Sequence, residues 1–121
     1  MKHDHMSMKL SSEMQGCIQA CQDCHDECLK HASLHCLEVG GRHVEPIHFR
    51  LMLSCAEICQ TSSNMMLMGS EHHREVCAAC AQVCEACAVS CAKLEDMESC
   101  VQACQRCAES CRQMAGQSMR H

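Results

Sequence analysis

Aromatic side chains are almost absent from this chain, which has one Phe, Phe49, and neither Tyr nor Trp. Ordinary cores lean on aromatic and branched aliphatic residues, so something else must fill this interior. The same lack removes any platform on which bases could stack. No basic run appears either, and the net charge is −5 with His neutral, which argues against nucleic acid as a partner. By inspection no apolar stretch approaches the length of a bilayer crossing. The polar opening MKHDHMSMKLSSEMQ lacks the apolar region of a secretory signal and has no twin-Arg pair. The expected compartment is therefore the cytoplasm, with no membrane contact. Proline occurs once and glycine five times, so long helices with few breaks are expected. No segment alternates in β-branched or aromatic residues, which excludes an all-β fold.

What the chain has in excess is sulfur and imidazole. Of 121 residues, 16 are Cys, 11 Met and 10 His. At 13.4 kDa it makes one small domain. Dense cysteine in a reducing compartment means metal or redox chemistry rather than disulfide staples. The breaks fall at Gly40–Gly41 with Pro46, at Gly69–Ser70, and at Leu94-Glu95-Asp96, where Asp96 is a candidate N-cap. Gly116 closes the last segment. Between them Ala, Gln, Glu, Leu and Met favour helix. The reading is an all-α chain: a polar arm over residues 1–9, a domain over 10–116 with helices at about 10–38, 46–68, 71–93 and 96–115, and a tail over 117–121. Short connections make consecutive helices antiparallel, giving an up-down-up-down four-helix bundle.

Spacing tells where the cysteines point. The first helix carries Cys17, Cys21, Cys24 and Cys28. The third carries Cys77, Cys80, Cys84, Cys87 and Cys91, and the fourth Cys100, Cys104, Cys107 and Cys111. Steps of three and four keep each set within an arc of roughly 60–80°. Such arcs normally hold the Leu and Ile of a bundle core. The second helix keeps the register with fewer thiols, through His48, Met52, Cys55, Cys59, Ser62 and Met66. The first extends its stripe to His31 and His35, the third starts its own at His73, and Met97 and Met114 flank the fourth. Cys36 alone falls off its seam. An aliphatic stripe beside the seams, Ile18, Leu29, Ile47, Leu51 and Ile58, is suited to sealing helix contacts or an oligomer face.

Buried Cys can serve as a small hydrophobe, but Ala, Val or Leu would pack better and not oxidise. Disulfides within one helix would close tiny loops and stabilise little. Among metals, charge discriminates. About sixteen thiolates around four Zn²⁺, or around four [4Fe–4S]²⁺ clusters, would strand roughly eight negative charges in the interior. A monovalent soft ion at about one per thiolate leaves none, and thiolate with thioether selects Cu(I). Three CxxxCxxC runs copy the spacing of radical-SAM cluster loops, yet the chain is too short for the barrel those enzymes need. Glu45-Pro46-Ile47-His48 copies an ExxH motif, yet no inward stripe holds a carboxylate, so no di-iron centre can be built. No catalytic constellation is present, and no enzyme is expected.

Cys-lined helices, repeated CxxxC and CxxC steps, and Met and His near helix ends resemble the bacterial copper storage proteins over about residues 10–115. The resemblance implies an antiparallel bundle, assembly as a homotetramer, and a core binding many Cu(I) ions through pairs of thiolates. Cys17/Cys21, Cys24/Cys28, Cys55/Cys59, Cys80/Cys84, Cys87/Cys91, Cys100/Cys104 and Cys107/Cys111 match that family's CxxxC pairs, and the His content points to its cytosolic branch. Cys36 and the His3-Asp4-His5-Met6 arm depart from the pattern. Antiparallel packing gathers His31, His35, His43, His48 and Met52 at one mouth near Cys36 and Cys91, as possible entry or auxiliary ligands. Met14, Met66, His73 and Met114 gather at the other. His3, His5, His72 and His121 read as solvated. The expected function is cytosolic Cu(I) storage, with all sixteen cysteines as ligands. The alternatives are a copper chaperone or sensor holding few ions, or an iron–sulfur electron carrier.

Overall fold

The computed structural model describes residues 10–118, so the arm over 1–9 and the last residues of the tail lie outside the described part. Four long helices run through it: α1, Ser12–His31; α2, Pro46–Leu67; α3, His73–Ala92; and α4, Glu98–Ser118. No strand occurs among the described residues. Ser11 caps α1 by accepting from the Met14 N–H at 3.1 Å. Pro46 opens α2 at its first turn, where its missing N–H costs nothing, and the Glu45 carboxylate accepts from the His48 N–H at 3.0 Å. Gly69, with φ 68°, turns the chain between α2 and α3. Each helix packs on its chain neighbour and α1 closes the ring on α4, giving the antiparallel four-helix bundle.

Three boundaries differ from expectation. First, α1 passes into a π-helical turn, Ala32–Cys36, and then one α-helical turn, Leu37–Val39, before Gly40 ends it at φ 72°. The wider turn resets the register, so Ala32 and Cys36 continue the buried seam of Cys28. Cys36 is therefore not off the seam. Second, Asp96 does not cap α4: it takes a left-handed φ of 60°, which Asp tolerates better than most residues. Helix α4 starts two residues later, and the turn drives Met97 into the core at 1% exposure. Third, Gly116 ends nothing, since α4 continues through it to Ser118.

By length and composition, α3 is apolar enough to cross a membrane, against the reading from sequence. Its apolarity comes from Cys, Ala and Val, and its five cysteines are buried against the other helices. The core is sulfur and alanine: all sixteen cysteines at zero exposure, Met52, Met66, Met97 and Met114, and a lining of Ala with Ile18. Of the aliphatic stripe, only Ile18 is buried; Leu51 and Ile58 are half-buried, and Leu29 and Ile47 are exposed.

Candidate metal centre

Three- and four-residue steps on four packed helices bring the thiols into one connected column along the bundle axis. Cys17 lies 3.7 Å from Cys111, Cys111 is 3.5 Å from Cys21, and Cys21 is 3.6 Å from Cys107. The column continues from Cys107 to Cys59 at 3.7 Å, Cys59 to Cys84 at 3.5 Å, and Cys84 to Cys55 at 3.6 Å. Cys24 sits 3.7 Å from both Cys55 and Cys104, Cys104 is 3.7 Å from Cys28, and Cys28 is 3.8 Å from Cys100. Cys91 and Cys87 close that end at 4.0 and 3.9 Å. Cys80 joins through Cys84 at 3.7 Å, and Cys77 groups with Cys17 and Cys111. All sixteen are free thiols.

Four groups bring four sulfurs within 4.8 Å of one another: Cys21/Cys80/Cys107/Cys111, Cys24/Cys28/Cys55/Cys104, Cys24/Cys55/Cys59/Cys84 and Cys59/Cys80/Cys84/Cys107. They overlap, and ten different cysteines fill the sixteen places. Separate Cys₄ sites need separate ligands. Shared sulfurs suit bridging thiolates in a polynuclear cluster instead. No Asp or Glu is buried among the described residues; the buried polar side chains are His43, His48, Ser62 and Ser63.

Neighbouring thiols pull each other's acidity in opposite directions. The hydrogen-bonded pairing with Cys104 pushes the Cys24 thiol down, while Cys104 is itself pushed up, chiefly by its bond with Cys100. Cys107 is lowered to about 7, mainly by the S–H of Cys111, and Cys111 is raised in turn. A buried thiol gains an anion only where neighbours donate to it and keep their own protons. Cys36, away from the column, is pushed up by burial. Its Sγ lies 3.8 Å from the Met52 Sδ.

Three of the histidines expected at one end, His31, His35 and His43, lie together. The rings of His31 and His35 meet edge-on at 6.0 Å, and those of His35 and His43 at 5.2 Å. His31 donates from Nδ1 to the Glu27 carbonyl at 3.0 Å, and His43 from Nε2 to the Glu95 carbonyl at 3.1 Å. His48 is buried, which lowers its pKa, and its Nδ1 lies 2.7 Å from the Ser90 Oγ. The Nε2 atoms of His35 and His48 are buried without a hydrogen-bond partner. At the opposite end Met66 and Met114 are buried and Met14 half-buried, while His73 bonds the Ser70 carbonyl at 2.9 Å. His72 is exposed. Ser62 is buried on the α2 seam as its register implies, and its hydroxyl, to which the sequence reading gave no role, has no partner there. Its place in the Cys55–Cys59–Met66 register was the available signal.

Residues 3–116 match the copper storage protein family. The chain belongs to that family. Among solved structures similar to this copper storage family member is the Nmul_A1745 protein of Nitrosospira multiformis, 56% identical, with a TM-score of 0.86 over 87% of this chain and 96% of that one. The Cu(I)-bound copper storage protein BsCsp3 is 38% identical, with a TM-score of 0.79 over 86% and 99% of the two chains. Apo-Csp3 of Bacillus subtilis is 40% identical, with a TM-score of 0.73 over 84% and 97%. A cysteine-rich protein of Bacillus subtilis, YhjQ, is 40% identical over 79 residues, 65% of this chain and 72% of that protein. The family's buried cysteine clusters are present here in a form suited to many Cu(I) ions.

Proposed function

We propose that this protein is a non-enzymatic, cytosolic copper(I) store, with all sixteen cysteines as its ligands. The overlap of the four-sulfur groups carries this reading: a column of shared thiols has no natural stopping point at one or two ions. Charge supports it, since each Cu⁺ that displaces one thiol proton leaves the sealed core neutral. A homotetramer fits the exposed Leu29, Ile47, Leu53 and Val89, which a lone bundle leaves in water. The proposed domain organisation is a single bundle domain beginning at about residue 10, with α4 carrying it to Ser118.

Entry belongs at an end, because packed helices close the sides. His31, His35, His48 and Met52 serve as weak capture ligands on the way to thiolate, and the orphaned Nε2 atoms of His35 and His48 support that role. Met66, His73 and Met114 are auxiliary ligands at the opposite end. Anaerobic Cu(I) titration followed by intact mass spectrometry tests the function. We expect saturation at about 12–20 ions per chain, the thiol count with some sharing. Saturation at four ions or fewer overturns storage in favour of a chaperone, a sensor or zinc, and inorganic sulfide with a brown colour would point to an iron–sulfur carrier.

A further inference from the structure

The two connections at the histidine end lie against each other. The stretch Gly41–Val44 forms a 3₁₀ turn, and from it the Arg42 Nη2 donates to the Lys93 carbonyl at 3.1 Å while His43 reaches the Glu95 carbonyl. Beside this seam lies a cavity of about 280 Å³ lined by Arg42, Glu45, Ile47, His48, Ser90, Lys93 and Leu94. Its size is near the lower limit of small-molecule sites, roughly 300–1,000 Å³. Among the described residues the two cations, Arg42 and Lys93, have no carboxylate partner within salt-bridge distance, whereas the third charge, Glu45, is engaged in capping the His48 N–H. The chain carries a net charge of −5, so two cations side by side on one rim matter to an approaching anion.

His48 forms the wall between cavity and core: it lines the cavity, yet is 5% exposed and belongs to the inward stripe of Met52 and Cys55. In the tautomer whose Nδ1–H donates to the Ser90 Oγ, the lone pair lies on the unpartnered Nε2. That is the arrangement in which an imidazole is fixed by an outer hydrogen bond and free to take a metal on its other nitrogen.

We propose that this cavity docks copper(I) as a small anionic thiolate complex and that His48 takes the ion from it. The proposal rests on the storage reading and names the form in which the cargo arrives. Arg42 and Lys93 hold the carrier's negative charge, and the Nε2 lone pair adds to copper before a carrier sulfur leaves. As copper moves on to protein sulfur, each Cu–S bond that breaks is matched by one that forms. The proton of each protein thiol leaves on a departing carrier sulfur, and copper stays in the +1 state throughout.

The test compares anaerobic stopped-flow loading from two sources, the anionic Cu(I)–glutathione complex and Cu(I) in acetonitrile. In Lys93→Glu, whose backbone carbonyl still receives Arg42, the ratio of glutathione to acetonitrile rates falls about fivefold, the size expected from reversing one charge several ångströms from an anion in water. The deficit shrinks at high salt, and Lys93→Arg keeps the wild-type ratio. Arg106→Glu, the same reversal elsewhere on the surface, leaves the ratio unaltered. A ratio unchanged in Lys93→Glu, or lowered equally in Arg106→Glu, overturns the proposal. Total ions taken from acetonitrile are counted in the same experiment. A count of four or fewer would sink the storage reading itself, whatever the ratio does.

Discussion

Ser62 offers the sharpest test of the column's register. It occupies the α2 seam one step beyond Cys59, at zero exposure, with an Oγ that no group satisfies. A buried hydroxyl without a partner costs about 1–3 kcal/mol, whereas a thiol is only weakly polar and matches the shape of the seam around it. Ser62→Cys should therefore stabilise the reduced, metal-free protein by about 1 kcal/mol, or about 4 °C in Tm for a chain of this length. It should also raise copper capacity by about one ion. Ser62→Ala should give a similar stability gain with no change in capacity, which separates the two effects. Thermal unfolding at fixed protein concentration and intact mass after Cu(I) saturation are the measurements. A destabilised Ser62→Cys would mean overpacking and a tighter seam than the structure gives. A stabilised variant with unchanged capacity would mean that this level of the column does not bind copper.

Four further outcomes are expected. Replacing His31, His35 and His48 together with Leu should slow loading and chelator-driven removal while lowering capacity by about one or two ions; unchanged rates would move the entrance to the Met14, Met66, His73 and Met114 end. Cys36→Ala should cost about one ion, because Cys36 touches Met52 and not the column; a loss of several would make it a cluster anchor. Reduced, metal-free protein should be strongly helical by circular dichroism, unlike zinc fingers, which need their metal to fold; a coil spectrum that turned helical only with copper would refute this. Loading should release about one proton per Cu(I) in a pH-stat, so acid should weaken binding; a yield near zero would mean that the thiols are already ionised in the apo protein.

Most of the column was legible because it is periodic. Steps of three and four place Cys17 to Cys28, Cys77 to Cys91 and Cys100 to Cys111 on single faces, and nothing else in the chain competes for a core. What stayed hidden were local departures from 3.6 residues per turn. The π-helical turn Ala32–Cys36 admits one extra residue, and no Pro or Gly marks it. Extrapolated as ideal helix, His35 lies on the seam and Cys36 off it; the wider turn buries Cys36 and leaves His35 half-buried. Asp96 misled for a related reason. An Asp before a helix can cap it or take a left-handed turn, and the choice was decided by Met97, a long apolar side chain that has to reach the core. The cavity beside His48 was out of reach, since it needs two connections, separated by about 50 residues of chain, to lie side by side.

The choice of sulfur for the core also settles how the protein meets two opposed demands. An empty store must fold, so its interior has to be neutral and close-packed. A full store must hold many cations in the same space. Protonated thiols meet the first demand, because an S–H is small and uncharged, and most are paired with another sulfur at 3.5–4.0 Å. Exchange of H⁺ for Cu⁺ meets the second, because the interior charge is the same before and after. Carboxylates could not do both: buried and ionised they would repel one another in the empty bundle, and buried and protonated they are hard ligands with little affinity for Cu(I). Histidine keeps its neutrality but adds the charge of each ion it binds, so it belongs at the mouth in small numbers. The bundle is arranged accordingly, with His35 and His48 at one end and, among the described residues, a column between the ends made chiefly of sulfur and alanine, with no buried carboxylate.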